Sequence, residues 1–162
     1  MKNDSDAPGP GSVYWAAIEP IWYSISIYDG PEVFLAQSRA VPRQLRHLFA
    51  CHWCQSEVCN GGFHQFFSNP TGVLAPEACV GYAAIGMPGC AKVIREAMGF
   101  FGLPYPRDRN KRHEMLRASP GEDREKHHPF TAMDTRFYDL INSEGGGFFH
   151  AADVYAGKIV RE

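Results

Sequence analysis

His47, Cys51, Cys54 and Cys59 stand close together in the chain, and Cys51-His52-Trp53-Cys54 has the spacing of a zinc half-site. Zinc needs four ligands converging tetrahedrally. No second pair with ligand spacing exists. On a helix, positions 47, 51 and 54 share a face that also carries Leu48, so the pattern reads as thiols turned toward a core. Free cysteine packs there as a small hydrophobe. A thioredoxin-like redox role would want a βαβ context that the pattern lacks. No metal and no other cofactor is expected.

The remaining chemistry-bearing residues are dispersed. His64, His113, His127, His128 and His150 have no Gly-x-Ser-x-Gly or comparable nucleophile context beside them. Gly145-Gly146-Gly147 lacks the Gly-x-Gly-x-x-Gly spacing of a phosphate cradle and reads as a helix break. Arg107, Arg109, Lys111, Arg112 and Arg117 form a possible basic ridge, but acids alternate with them, so a solvated helix face is expected. No catalytic residue is assigned, and the chain is not expected to be an enzyme.

The densest segment is Glu57 to Gly72. Asn60 can end a helix in the left-handed region, and Gly61 and Gly62 permit a sharp reversal there. Phe63, Phe66 and Phe67 would plug the corner into a core. Glu57, Gln65 and Asn69 have two readings. They could line a pocket with Glu57 as a general base. The favoured alternative is a hydrogen-bond network that takes up backbone groups opened by the turn.

This segment reads Glu-x-x-Asn-Gly-Gly-Phe-x-Gln-Phe-Phe-x-Asn-x-x-Gly, and on it the chain resembles the bacterial DNA-mimic protein family. The likeness continues at Ala84-Ile85-Gly86, at Leu103-Pro104-Tyr105-Pro106-Arg107-Asp108-Arg109 and at Gly147-Phe148-Phe149. It spans the chain from about Tyr14 to Tyr155. The resemblance implies an all-helical fold, a homodimer, and acidic side chains laid out like DNA phosphates to occupy a transcription factor's DNA-binding face.

The elements that must position these residues follow from periodicity. Trp15, Ile18, Trp22 and Ile25 recur at helical spacing over Val13 to Tyr28, although Pro20 can reset the helix and Ile21 to Ile27 also alternates like a strand. A short helical turn is expected at Glu32 to Gln37. Pro42 opens a central helix that Asn60-Gly61-Gly62 stops, with one more turn at Phe63 to Phe67. Further helices are expected from Pro76 to Ile85, Cys90 to Phe101, Arg107 to Ala118, Thr131 to Ile141 and Phe149 to Ile159. A loop is expected over 119–129. The class is all-α: a single-domain bundle of about six to seven helices over residues 13–162, preceded by a flexible arm over residues 1–12.

Composition bounds the function. A chain of 162 residues with 44% hydrophobic content can bury a core without disulfides. Five cysteines, an odd count, and a polar start without an apolar leader point to a reducing cytoplasm. No apolar run is long enough for a membrane span. A net charge of −2 implies no direct nucleic-acid binding, and supplies little of the field that DNA mimicry needs. The expected function is a non-catalytic, protein-binding regulator that docks on and blocks a partner such as a transcription factor. The alternatives are an immunity protein neutralising a cognate toxin and a small-ligand binder or enzyme at the Glu57–Asn69 corner. Asp134, Asp139, Glu144 and Asp153, in the last two helices and their junction, are the candidate partner contacts.

Overall fold

A computed structural model describes residues 9–118 and 129–160, and over these the chain forms eight α-helices and no strand. They are α1 (Ser12–Ile18), α2 (Pro31–Arg39), α3 (Arg43–Ser68), α4 (Ala75–Ala84), α5 (Pro88–Met98), α6 (Arg109–Arg117), α7 (Thr131–Ser143) and α8 (Phe148–Val160). Tight 3-10 turns follow several of them, at Glu19–Ser24, Pro70–Leu74, Gly99–Phe101 and Glu144–Gly146. The all-α expectation holds. The helix total exceeds six to seven because Pro31–Arg39 forms a complete helix rather than a single turn.

Proline sets several starts. Pro31, Pro76 and Pro88 occupy the first turn of α2, α4 and α5. A first-turn N–H has no intrahelical acceptor, and proline's fixed φ suits the position. Pro20 acts differently: α1 ends at Ile18, and Pro20 lies in the following 3-10 turn. The strand-like alternation near Ile27 has a separate cause. Ile25 and Ile27 are buried from an extended loop while Ser24 and Tyr28 face outward.

The centre of the molecule is α3, which packs against α1, α4, α6, α7 and α8. Its inward side carries Leu48, Cys51, Cys54, Val58, Phe63, Phe66 and Phe67, all fully buried. The phenylalanines continue into a ring cluster with Phe101, Phe130 and Phe137, at centroid separations of 4.9–5.5 Å. Offset and edge-on ring pairs of this kind add about 0.5–1.5 kcal/mol each beyond burial. The first and last helices, α1 and α8, lie against one another.

Some expectations fall at or beyond the described residues. The arm expected over residues 1–12 stops short of Gly11, which is buried, and Ser12, which opens α1. Residues 1–8, most of the 119–129 loop and the pair His127-His128 lie outside the described residues. Among the described residues no helix is long and apolar enough to cross a membrane.

Candidate functional site

The Glu57–Gly72 corner is built by interrupting α3. Gly61 and Gly62 leave helical geometry, with Gly62 at φ 75° and ψ −177°. That combination is open essentially to glycine alone. Helical geometry then resumes and runs to Ser68. The polar residues bond chiefly to each other. Gln65 Nε2 and Asn69 Nδ2 both donate to Glu57 Oε2, at 2.9 and 2.8 Å, and Asn60 Nδ2 donates to Gln65 Oε1 at 3.2 Å. The backbone donor opened by the break is met from elsewhere: Phe63 N donates to Asp134 Oδ1 of α7 at 2.8 Å.

The far end of the resumed helix is closed by α6. Arg109, Arg112 and His113 fall at i, i+3 and i+4, hence on one face. Arg109 Nε and His113 Nε2 donate to the Ser68 carbonyl at 2.9 and 2.6 Å. The guanidinium of Arg112 donates to the carbonyls of Phe67, Asn69 and Pro106, at 2.9, 3.2 and 3.3 Å, and to that of Arg107. These side chains serve carbonyls at the negative end of the helix dipole. The basic ridge is therefore not the solvated face its charge pattern suggests, since Arg112 is fully buried. Arg107 is also occupied, pairing with both Glu77 carboxylate oxygens at 2.9 and 2.8 Å. Only Lys111 and Arg117 of the five stand as exposed cations without such a bond among the described residues.

The same capping logic governs the acids of the last two helices and their junction. Asp134 caps the resumed half of α3, as above. Glu144 takes the N–H groups of Gly89 and Cys90 at the start of α5, at 2.6 and 2.9 Å. Asp153 takes those of Gly11 and Tyr14 at the start of α1, at 2.7 and 2.9 Å. A carboxylate at a helix N-terminus satisfies orphan donors and complements the dipole. Asp139 alone of the four is exposed with no such bond. Among the described residues, Glu19, Asp29, Glu32 and Glu114 share that condition. Three of these five free carboxylates fall within residues 19–32. A signal for them was available: residues 3–38 hold five acids and neither Lys nor Arg.

A cleft of about 510 Å³ opens elsewhere, lined by residues including Gln55, Cys59, Asn142, Phe149, His150 and Asp153. Glu57, Gln65 and Asn69 do not line it. Cys59 is exposed, whereas Cys51 and Cys54 are buried and their thiols are pushed well up by that burial. Among the described residues no three His, Cys, Asp or Glu side chains gather as metal ligands.

Two imidazoles tie α3 to its neighbours. His52 Nδ1 meets the Tyr14 hydroxyl at 3.0 Å, and His47 Nδ1 meets the Tyr155 hydroxyl at 2.9 Å. Burial lowers both histidines below the ordinary 6.5, and Arg43 and Arg46 lower His47 further. Burial raises the Tyr14 phenol to about 12, so it stays protonated. The unfolded chain thus binds more protons than the folded one just below pH 6.5. The histidine contribution is intact above that pH and is lost as pH falls through the lowered folded values. Urea midpoints measured from pH 7.5 to 5.5 should decline, and His52→Gln should flatten the decline. An unchanged slope in that variant would remove His52 as a cause.

Compared with known proteins, residues 39–156 match the family model described as DMP19-like protein. No curated protein and no solved structure matches the chain. The match takes in the broken α3, its α6 clamp and two of the three long-range carboxylate caps whole, and the chain belongs to the DMP19-like family of DNA-mimic proteins.

Proposed function

We propose that this protein is a non-catalytic regulator that binds a protein partner and blocks its working surface, a DNA-binding protein being the partner class that fits. Membership of the DNA-mimic family carries the reading. The distribution of carboxylates supports it. Net charge is only −2, but the free carboxylates are unevenly placed, three of the five falling within residues 19–32, a stretch without Lys or Arg. Seven of the described acids are spent on caps, ion pairs or the corner network, which leaves the free ones to face a partner. Asp139 belongs to that free set. Asp134, Glu144 and Asp153 would act on a partner through the helices that they hold in place. The Glu57–Asn69 corner serves the fold, because its polar atoms are taken up within the turn. A homodimer working in the cytoplasm completes the proposal.

The test is affinity capture from the native host, mass spectrometry, and reconstitution of the purified pair. The expected complex weakens as salt rises, because free carboxylates facing basic groups are screened. Duplex DNA should compete with it. A complex indifferent to DNA but inhibiting a toxic activity would favour the immunity reading. Recovery of no stable partner at any salt concentration would count against docking altogether. Sedimentation of the purified chain alone reads the oligomeric state.

A further inference from the structure

We infer that the partner is gripped by the edge formed by residues 19–33, and that the matching surface is rich in arginine. This inference rests on the docking reading above. Tyr23 is 97% exposed and Tyr28 is 73% exposed, values far beyond those of the other described aromatics. Val33 is partly exposed beside them in sequence. Glu19, Asp29 and Glu32 supply free carboxylates in the same stretch, and no cation of the chain lies between residues 3 and 38.

The edge is firmly seated, which separates it from an ordinary surface loop. Ile18, Ile25, Ile27 and Phe34 are buried beneath it. Trp22 stacks on Trp53 at 5.1 Å and meets Phe49 edge-on at 5.5 Å. Ser26 N donates to Gln37 Oε1 at 2.7 Å, tying the loop to α2. A preorganised backbone presenting two bare tyrosines loses little entropy on binding. Tyrosine faces flanked in sequence by carboxylates suit guanidinium, which stacks on aromatic rings and takes carboxylates bidentately. An ammonium matches the charge and is drawn to a ring face, but lacks the planar fork that stacks and binds bidentately. The edge lies before residue 39, where the family match begins.

The test uses two synthetic probes, a peptide of alternating Arg and Gly and its Lys counterpart, followed by amide chemical shifts in the full chain. The Arg peptide should perturb residues 19–33 and bind more tightly than the Lys peptide. Tyr23→Ser with Tyr28→Ser, and separately Glu19→Gln with Asp29→Asn and Glu32→Gln, should each weaken it about tenfold. Both sets leave buried residues untouched, so the melting temperature should hold. Perturbation centred on Asp139 or Glu114, equal affinity for both peptides, or no binding at all overturns the inference. None of these results touches capture of the native partner, and failure of that capture alone would instead remove the docking reading.

Discussion

Replacing Arg112 with Met lowers stability by roughly 3 kcal/mol, and with Lys by about 2 kcal/mol. The residue is fully buried, and its guanidinium serves four backbone carbonyls, among them Phe67 and Asn69 at the end of the broken helix. Methionine fills much of the volume but leaves those acceptors without a donor, and a buried unmet polar group costs about 1–3 kcal/mol. Relief from burying a charge offsets part of that loss. Lysine keeps the charge, yet a single ammonium cannot span carbonyls that a planar fork reaches from several nitrogens. The site has no slack to adapt: a Cβ on Gly72 would come within 2.7 Å of Arg112 Nε. Denaturant midpoints of the three proteins check the order. A Met variant as stable as the parent would show that the carbonyls find water or other donors.

Gly62→Ala is expected to cost about 2–4 kcal/mol, from backbone strain of roughly 1–3 kcal/mol and a lost cap of about 1 kcal/mol. The melting temperature should fall by roughly 10 °C for a domain of this size. Two effects act at one atom. The left-handed backbone disfavours any Cβ, and that Cβ would stand 2.6 Å from Asp134 Oδ2. Asp134 must then withdraw from the Phe63 N–H, which reopens the donor that the break created. Gly61→Ala separates the terms. Gly61 has φ −150°, a value other residues adopt, so a Cβ there adds no comparable backbone strain; it would instead push the Gln65 side chain off its bonds to Glu57 and Asn60. A smaller loss at Gly61 than at Gly62 is the expected result; equal losses would place the cost in the corner network instead.

These two sites differ in how far the sequence reveals them. A break at the paired glycines and the burial of Phe63, Phe66 and Phe67 are local patterns, and the structure has both, although Asn60 does not take the left-handed conformation and helical geometry resumes after Gly62. The burial of Arg112 is not apparent, because its neighbours Arg109 and Lys111 look the same in composition. The i, i+3, i+4 spacing of Arg109, Arg112 and His113 hints at a shared face, but not that a helix end lies opposite it. Capping by Asp134, Glu144 and Asp153 was illegible for a plainer reason. Each acts on a backbone donor 71, 55 or 142 residues away, and nothing local marks the pairing. An acid with no nearby base looks free for a partner when it is already committed within the fold. The N-terminal edge is the converse case. Its missing cations are visible in the sequence, but the exposure of Tyr23 and Tyr28 depends on which way the 3-10 turn and the extended loop face.

The Asp153 joint has a consequence for how the molecule comes into being. Ribosomal synthesis releases Gly11 and Tyr14 long before the aspartate that caps them, and their partner helix α8 emerges last of the eight. Until then α1 has an open N-terminus, an unpacked flank, and too few residues to persist as an isolated helix. Domains generally fold as units, the earlier-made ones first. Here α1 waits for α8, and a nascent chain stalled before Asp153 should leave α1 open to proteases.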